Sequence, residues 1–338
     1  MRVLVTGGAG YVGSHTCLAL LRGGHEVIVV DDLRNASIEA LKRVQRLAGR
    51  ALTFHQFDMR DGERLDKVFA EGPIDCAIHF AALKAVGESV EKPLEYYENN
   101  LLSTLTLCRS MLRFGVSRLI FSSSATVYAP LSPMPVDEDA PLGCANPYGW
   151  TKLMCEQILR DVAHANPSFS CVLLRYFNPI GADSSGEIGE DPNGVPNNLM
   201  PFITQVALEK FKQLQVYGDD YDTLDGTGVR DYIHVSDLAR GHLAAMDYAM
   251  GHTGCVAINL GTGRGYSVLD IIQAFESVNG VQVPYVIGPR RPGDMAIVYA
   301  NTQRARELLG WETELNIEDM CRDAWRWQKR NPAGYGDK

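Results

Sequence analysis

The 338-residue chain is 46% hydrophobic and carries a formal charge of −9, which supplies a full core and argues against non-specific nucleic-acid binding, since that needs a cationic surface. The opening residues read as a strand rather than a leader, and no apolar run approaches bilayer length, so a cytoplasmic enzyme without a membrane segment is expected. Eight cysteines without a C-x-x-C pair and eight histidines without a ligand pattern point to reduced thiols and no bound metal.

In chain order, β-branched runs at 2–5, 26–30, 53–57, 76–80, 118–122 and 171–175 alternate with amphipathic stretches, among them 12–21, 96–114 and 148–163. That alternation predicts an α/β fold of βαβ units around a Rossmann-type, doubly wound parallel sheet. Its strands are apolar throughout, as in Val27-Ile28-Val29-Val30, because helices cover both faces. Ligands collect beyond the carboxyl ends of such strands, where Gly7, Asp31, Asp58, Phe80, Ala81, Ala82, Ser122, Ser124 and Asn178 fall. Beyond about residue 178 the texture turns to Gly, Pro, Asn and Asp-rich loops, notably 186–198 and 218–228, of the kind that usually bind ligands. The expected division is a cofactor domain over 1–178 and a smaller α/β substrate-binding domain over most of 179–338. A segment near 229–260 is expected to return to the first sheet, with a strand at 231–235.

The first strand leads into Gly7-x-x-Gly10-x-x-Gly13 and then a helical run. Such glycines permit a tight turn and let the backbone approach a pyrophosphate seated on the helix N-terminus. Asp31 closes the second strand eighteen residues after Gly13, where a carboxylate accepts hydrogen bonds from an adenine-ribose diol. Asp31 and Asp32 would repel a 2′-phosphate and Arg34 is the only nearby cation, so NAD is expected rather than NADP. Asp58, ending the third strand, is a candidate for the adenine amine.

Tyr148 and Lys152, in Asn146-Pro147-Tyr148-Gly149-Trp150-Thr151-Lys152, share one helix face, with Asn146 as N-cap and Pro147 in the first turn. A phenol there can exchange a proton with a carbinol, provided a fixed cation lowers its pKa from about 10. Lys152 is expected to be that cation.

With the glycine turn, Ser122-Ser123-Ser124 at a strand end and Tyr148-x-x-x-Lys152 in order, the chain resembles the extended short-chain dehydrogenase/reductase superfamily. Longer stretches narrow this. Residues 79–89, beginning His79-Phe80-Ala81-Ala82-Leu83-Lys84, together with 121–128, 174–179, 196–201 and 225–235, are similar to the UDP-glucose 4-epimerase family over essentially the whole chain. Ala82 stands where Gly is expected and Asp32 where Asn is frequent; both bear on the cofactor and neither removes a catalytic group.

The resemblance implies a redox-neutral inversion at C4 of a UDP-hexose through a transient 4-keto sugar, in galactose metabolism and nucleotide-sugar supply. NAD takes hydride from C4 while phenolate Tyr148 takes the O4 proton, Ser124 hydrogen-bonds O4, and Lys152 binds the nicotinamide ribose. It further implies cofactor contacts at Tyr11, Val12, Asn35, Met59, Phe80, Ala81, Ala82, Lys84, Asn99, Ser122 and Phe177. UDP-sugar contacts are implied at Lys84, Asn178, Asn198, Leu199, Arg230, Arg291 and Asp294, where bidentate guanidinium groups suit a diphosphate. Val298 aligns with a position whose size governs room for the C2 substituent, so interconversion of UDP-GlcNAc and UDP-GalNAc is also expected.

A nucleotide-sugar 4,6-dehydratase would need an acid and base just after the strand-end serine, where this chain has Ala125-Thr126. A non-catalytic dinucleotide sensor would have no need of Ser124, Tyr148 and Lys152 together. The family usually pairs as a homodimer through two helices, for which 96–114 and 148–163 offer Leu101, Leu105, Leu107, Met111, Met154 and Ile158.

Overall fold

The structure is a computed structural model in which residues 1–130, 132–291 and 294–336 are described. Its strands are β1 (Arg2–Thr6), β2 (Glu26–Asp31), β3 (Thr53–Gln56), β4 (Cys76–His79), β5 (Arg118–Ser122), β6 (Ser170–Tyr176), β7 (Asn178–Ile180), β8 (Leu214–Tyr217), β9 (Val229–His234), β10 (Gly254–Leu260), β11 (Gly265–Ser267), β12 (Tyr285–Gly288) and β13 (Ile297–Val298). The α-helices are α1 (Tyr11–Arg22), α2 (Ile38–Ala48), α3 (Gly62–Ala70), α4 (Val86–Glu91), α5 (Pro93–Arg113), α6 (Pro147–Ala165), α7 (Leu199–Ala207), α8 (Val235–Gly251), α9 (Val268–Asn279), α10 (Gln303–Leu309) and α11 (Ile317–Arg330).

Seven parallel strands form the central sheet in the order β10-β6-β5-β4-β1-β2-β3. Period-two alternation sends Val3, Val5, Val27 and Val29 into one apolar layer with α1 and α8. Leu4, Ile28, Val30, Leu119 and Phe121 go into the opposite layer, with side chains of α3, α5 and α6. Both faces are therefore buried, as the unbroken apolar runs predict. A second sheet, β11-β9-β13 with β7 alongside β9, packs with a third cluster that includes Met200, Ile271, Phe275 and Met320.

One expectation about this topology fails. The strand anticipated at 231–235 forms as β9, but it belongs to the second sheet, where β7 and β11 flank it. The chain turns away after Tyr176, so Asn178–Ile180 leaves the first sheet and supplies β9 with a parallel partner. The strand that returns to the central sheet is β10, whose Ala257, Ile258 and Leu260 are buried beside β6.

Candidate active site

The glycine turn between β1 and α1 is a contact of backbone on backbone. Gly7 sits at φ +70°, and a Cβ there would lie 2.7 Å from the backbone nitrogen of Ala81; a Cβ on Gly13 would lie 2.2 Å from the carbonyl oxygen of Gly7. Only hydrogen fits at either place. Gly10 caps α1 without a side-chain hydrogen bond, which leaves the first helical N–H groups for an anion. Asp31 is buried at the end of β2, where its two oxygens accept from the N–H groups of Ala9 and Leu33 at 3.0 and 2.9 Å. Burial raises its carboxyl against those two bonds. Each carboxylate oxygen keeps lone-pair capacity for a ribose hydroxyl.

Arg34 is not the only cation near this end, as the sequence suggested, because the fold also brings Arg60 beside Asp58; Arg34 itself reaches both Asp32 and Asp58 at 3.5 and 3.6 Å. Asp58 also accepts from the Arg60 guanidinium, the closest contact being 2.6 Å, and these partners hold its carboxyl below the usual range. The adenine end is thus lined by carboxylates with their charges already engaged.

Three successive serines at the end of β5 are each tied to a different partner. The Ser122 carbonyl accepts from Lys152 Nζ at 2.7 Å, and its hydroxyl pairs with the Tyr176 phenol. Ser123 donates to Glu156 at 2.5 Å. Ser124 accepts from the Thr126 N–H at 3.2 Å and the Thr126 hydroxyl at 3.0 Å, which commits its own hydrogen to donation, and its hydroxyl is close enough to the Tyr148 phenol to favour the phenolate.

α6 carries the matching groups at i, i+4 and i+8. Asn146 caps it through the Gly149 N–H at 2.8 Å with Pro147 in the first turn, which fixes Tyr148 at its start. Lys152 is buried one turn on, and Glu156 a turn later forks onto the fully buried Arg175 at 2.9 and 2.7 Å. That pair anchors β6 to the helix directly behind the serines.

The expected lowering of the Tyr148 pKa by Lys152 does not hold in the protein alone. Burial pushes the phenol up to about 12, and only the neighbouring Ser124 hydroxyl opposes it. The ammonium is spent on the Ser122 carbonyl and lies 5.9 Å from the phenol ring centre, while burial draws Lys152 down to about 8. His79, underneath, is held between Thr6 and Thr104 and pushed down to about 3 by burial, so it stays neutral and cannot compete as a base.

Around this centre the remaining residues fall into two groups. Phe80 lies against His242 with the rings tilted by 47° and their centres 4.7 Å apart, Asn99 donates to Asn100, and Phe177 is buried with Ala125, Tyr128 and Val298. Lys84 reaches Glu190 at 3.5 Å, and Asn198, the residue before α7, donates to the same carboxylate at 2.8 Å. In the second lobe Arg230 and Asp294 form an ion pair, and the Arg291 guanidinium lies 4.0 Å over the Tyr217 ring. Asn178 is exposed at the start of β7, and Val298 pairs in register with Arg230. Tyr11 donates to the Gly181 carbonyl at 2.7 Å, Val12 and Leu199 are partly buried, Met59 is buried, and Asn35 is exposed on the loop after β2.

Four residues escaped the sequence reading. Thr126 was visible as a hydroxyl two residues after Ser124, a spacing that favours local side-chain turns. Asn100 clamps the loop after β4 by bonding Leu83 twice and Thr151 once. Glu190 and Tyr217 gave no local signal beyond lying in or beside the flagged loops.

Comparison with known proteins follows the same lines. The NAD dependent epimerase/dehydratase family matches residues 3–261. A curated UDP-glucose 4-epimerase of Bacillus subtilis (strain 168) is 57% identical over 335 residues, covering 99% of each chain. The crystal structure of a UDP-glucose 4-epimerase from Bifidobacterium longum, in complex with NAD+ and UDP, matches with a TM-score of 0.96 at 54% identity, over 99% of this chain and 100% of that one. The UDP-Glc/GlcNAc 4-epimerase from the human pathogen Campylobacter jejuni matches with a TM-score of 0.84 at 38% identity, over 97% and 99%.

Proposed function

The chain belongs to the NAD dependent epimerase/dehydratase family, and from that membership we propose how its residues divide the work of a UDP-glucose 4-epimerase. The reaction interconverts UDP-glucose and UDP-galactose with NAD as cofactor. The residues present fit that cofactor. Gly7 and Gly13 leave room only for backbone beside a pyrophosphate, α1 offers open N–H groups, and Asp31, held by backbone N–H groups and not by an arginine, presents a carboxylate that suits a ribose diol and disfavours a 2′-phosphate. Bound NAD+ supplies a reversible hydride acceptor for C4.

The observation that carries the division of roles is the convergence of Ser124, Tyr148 and Lys152 at the carboxyl end of β5. Tyr148 takes the O4 proton and returns it. Ser124, its lone pairs filled by Thr126, donates to O4 or to the phenolate and steadies whichever oxygen carries charge. Lys152, fixed by Ser122, presents its remaining hydrogens to the cofactor ribose. Phe80, Asn99 and Phe177 border the nicotinamide end. The diphosphate falls to Arg230 and Arg291, and the uridine ribose to Asp294; Asn178, Asn198 and Leu199 line the approach.

Val298 is small and buried against Ala125 and Phe177, beside the catalytic serine. We place the C2 substituent there and assign turnover of UDP-GlcNAc and UDP-GalNAc to the same site. Self-association through the outer faces of α5 and α6 is the quaternary reading. Leu102, Trp150 and Met154 are about two-fifths exposed there, whereas Leu107 and Met111 are core and drop out as contacts. Among the described residues no helix is long and apolar enough to cross a membrane, and a cytoplasmic location is the reading adopted.

The test is to incubate purified protein, without added cofactor, with UDP-galactose and separately with UDP-GalNAc, and to identify the sugars formed. Conversion of both is expected. Conversion of UDP-galactose alone would remove the N-acetylhexosamine assignment, and no conversion even with NAD supplied would remove the division of roles altogether.

A further inference from the structure

Cys171 on β6 and Cys255 on β10 are register partners in adjacent parallel strands. Paired Cα atoms in such strands lie about 4.8 Å apart with side chains on the same face, which falls inside the range a disulfide spans. Each thiol is close enough to perturb the ionisation of the other. β10 is the edge strand of the central sheet, and Cys255 is only partly buried, whereas Cys171 is covered. Cys255 also differs from the other seven cysteines. The neighbouring Cys171 thiol and the Arg160 guanidinium favour its thiolate and lower its pKa, while burial raises every other thiol, including Cys144, which is also only partly buried and reaches about 12.

We propose that Cys171 and Cys255 form a peroxide-reactive thiol pair that closes reversibly into a disulfide across the edge of the central sheet. Cys255 is the nucleophile. Its thiolate sulfur attacks one peroxide oxygen, the S–O bond forms as the O–O bond breaks, and the departing hydroxide leaves as water after protonation, giving a sulfenic acid. Cys171 then attacks that sulfur; the S–S bond forms, the S–O bond breaks and a second water leaves. Two thiols lose two electrons in total and one peroxide is reduced to two waters. A small-molecule thiol reverses the change. Cys171 is the second residue of β6, at the opposite end from Phe177 and Asn178, so the pair stands apart from the proposed catalytic edge.

The test treats the cofactor-loaded protein with hydrogen peroxide, blocks remaining thiols with iodoacetamide and maps the peptides by mass. The expected product is a Cys171–Cys255 cross-link, cleared by dithiothreitol, with Cys255 consumed at least about tenfold faster than Cys144, since thiolate fraction outweighs the weaker nucleophilicity of a low-pKa thiol. Cys171→Ser should leave a dimedone-reactive sulfenic acid on Cys255, and Cys255→Ser should abolish the cross-link with epimerase activity unchanged. Oxidation of Cys144 as fast as Cys255, or a Cys171 and Cys255 that both stay alkylatable, would overturn the proposal. The wild-type map decides the matter even if a variant fails to fold.

Discussion

Lys152 donates to the carbonyl oxygen of Ser122 at 2.7 Å, and is thereby fixed to the strand end rather than to the phenol beside it. The same contact fixes the order in which the site becomes active. Without a second positive charge Tyr148 stays protonated, with its pKa pushed up to about 12.

Titration of tyrosinate absorbance in cofactor-stripped protein should therefore show Tyr148 ionising only above about pH 11, and NAD+ should move that ionisation downward, because a cation near the phenol favours the charged form. The Tyr148→Phe variant identifies the signal. It should also lose about 10²- to 10⁴-fold in kcat with KM and bound NAD nearly unchanged.

Lys152→Met should separate stability from activity. A buried ammonium drawn down from 10.5 to about 8 is disfavoured in the folded state, so the unfolded chain binds more protons between those values and stability rises with pH across that window. At pH 7 the charge is carried at full cost. Replacement should stabilise the cofactor-free protein by roughly 2 kcal/mol in urea unfolding, an advantage that fades by pH 10.5, while turnover collapses. A variant less stable than the parent at pH 7 would contradict this.

Thr126→Val keeps the shape of the turn but removes one of the two donors that orient Ser124. A single neutral hydrogen bond is worth about 1 kcal/mol, so kcat should fall about fivefold. In a double-mutant cycle with Ser124→Ala the two losses should not add, since both act on the same proton.

Glu156→Gln leaves Arg175 charged in the core with its fork broken. Removing one partner of a buried pair costs about 3–5 kcal/mol, and thermal unfolding should register it even with cofactor bound.

Val298→Tyr would fill the space beside Ala125 and Phe177. Turnover of UDP-GalNAc should fall by about tenfold or more while that of UDP-galactose persists, because overpacking costs about 1–3 kcal/mol only for the substrate that needs the room. Equal losses for both sugars would show that the residue acts on folding instead.

Much of this was legible in the chain. The six early strands and the helix beginning at Pro147 follow from continuous apolar runs and from an Asn-Pro cap, both local signals. Gly7 and Gly13 were readable because their crowding is intrinsic to a strand-turn-helix. What stayed hidden depends on long-range geometry. Nothing in Val229–His234 distinguishes a strand of the second sheet from one of the first, since its partners are β7, about fifty residues before it, and β11 and β13, about thirty and more than sixty after it. The direction of the Lys152 ammonium was hidden for the same reason, because its acceptor is a backbone carbonyl thirty residues away.

The late return of β10 bears on biosynthesis. Residues 1–176 emerge from the ribosome with one edge of their sheet uncovered, and the strand that covers it is synthesised only after β9 of the other sheet. Until about residue 260 is available, β6 presents a free edge of the sort that invites mispairing. A truncation after residue 178 is thus expected to aggregate rather than yield a cofactor module, and the two lobes mature together or not at all.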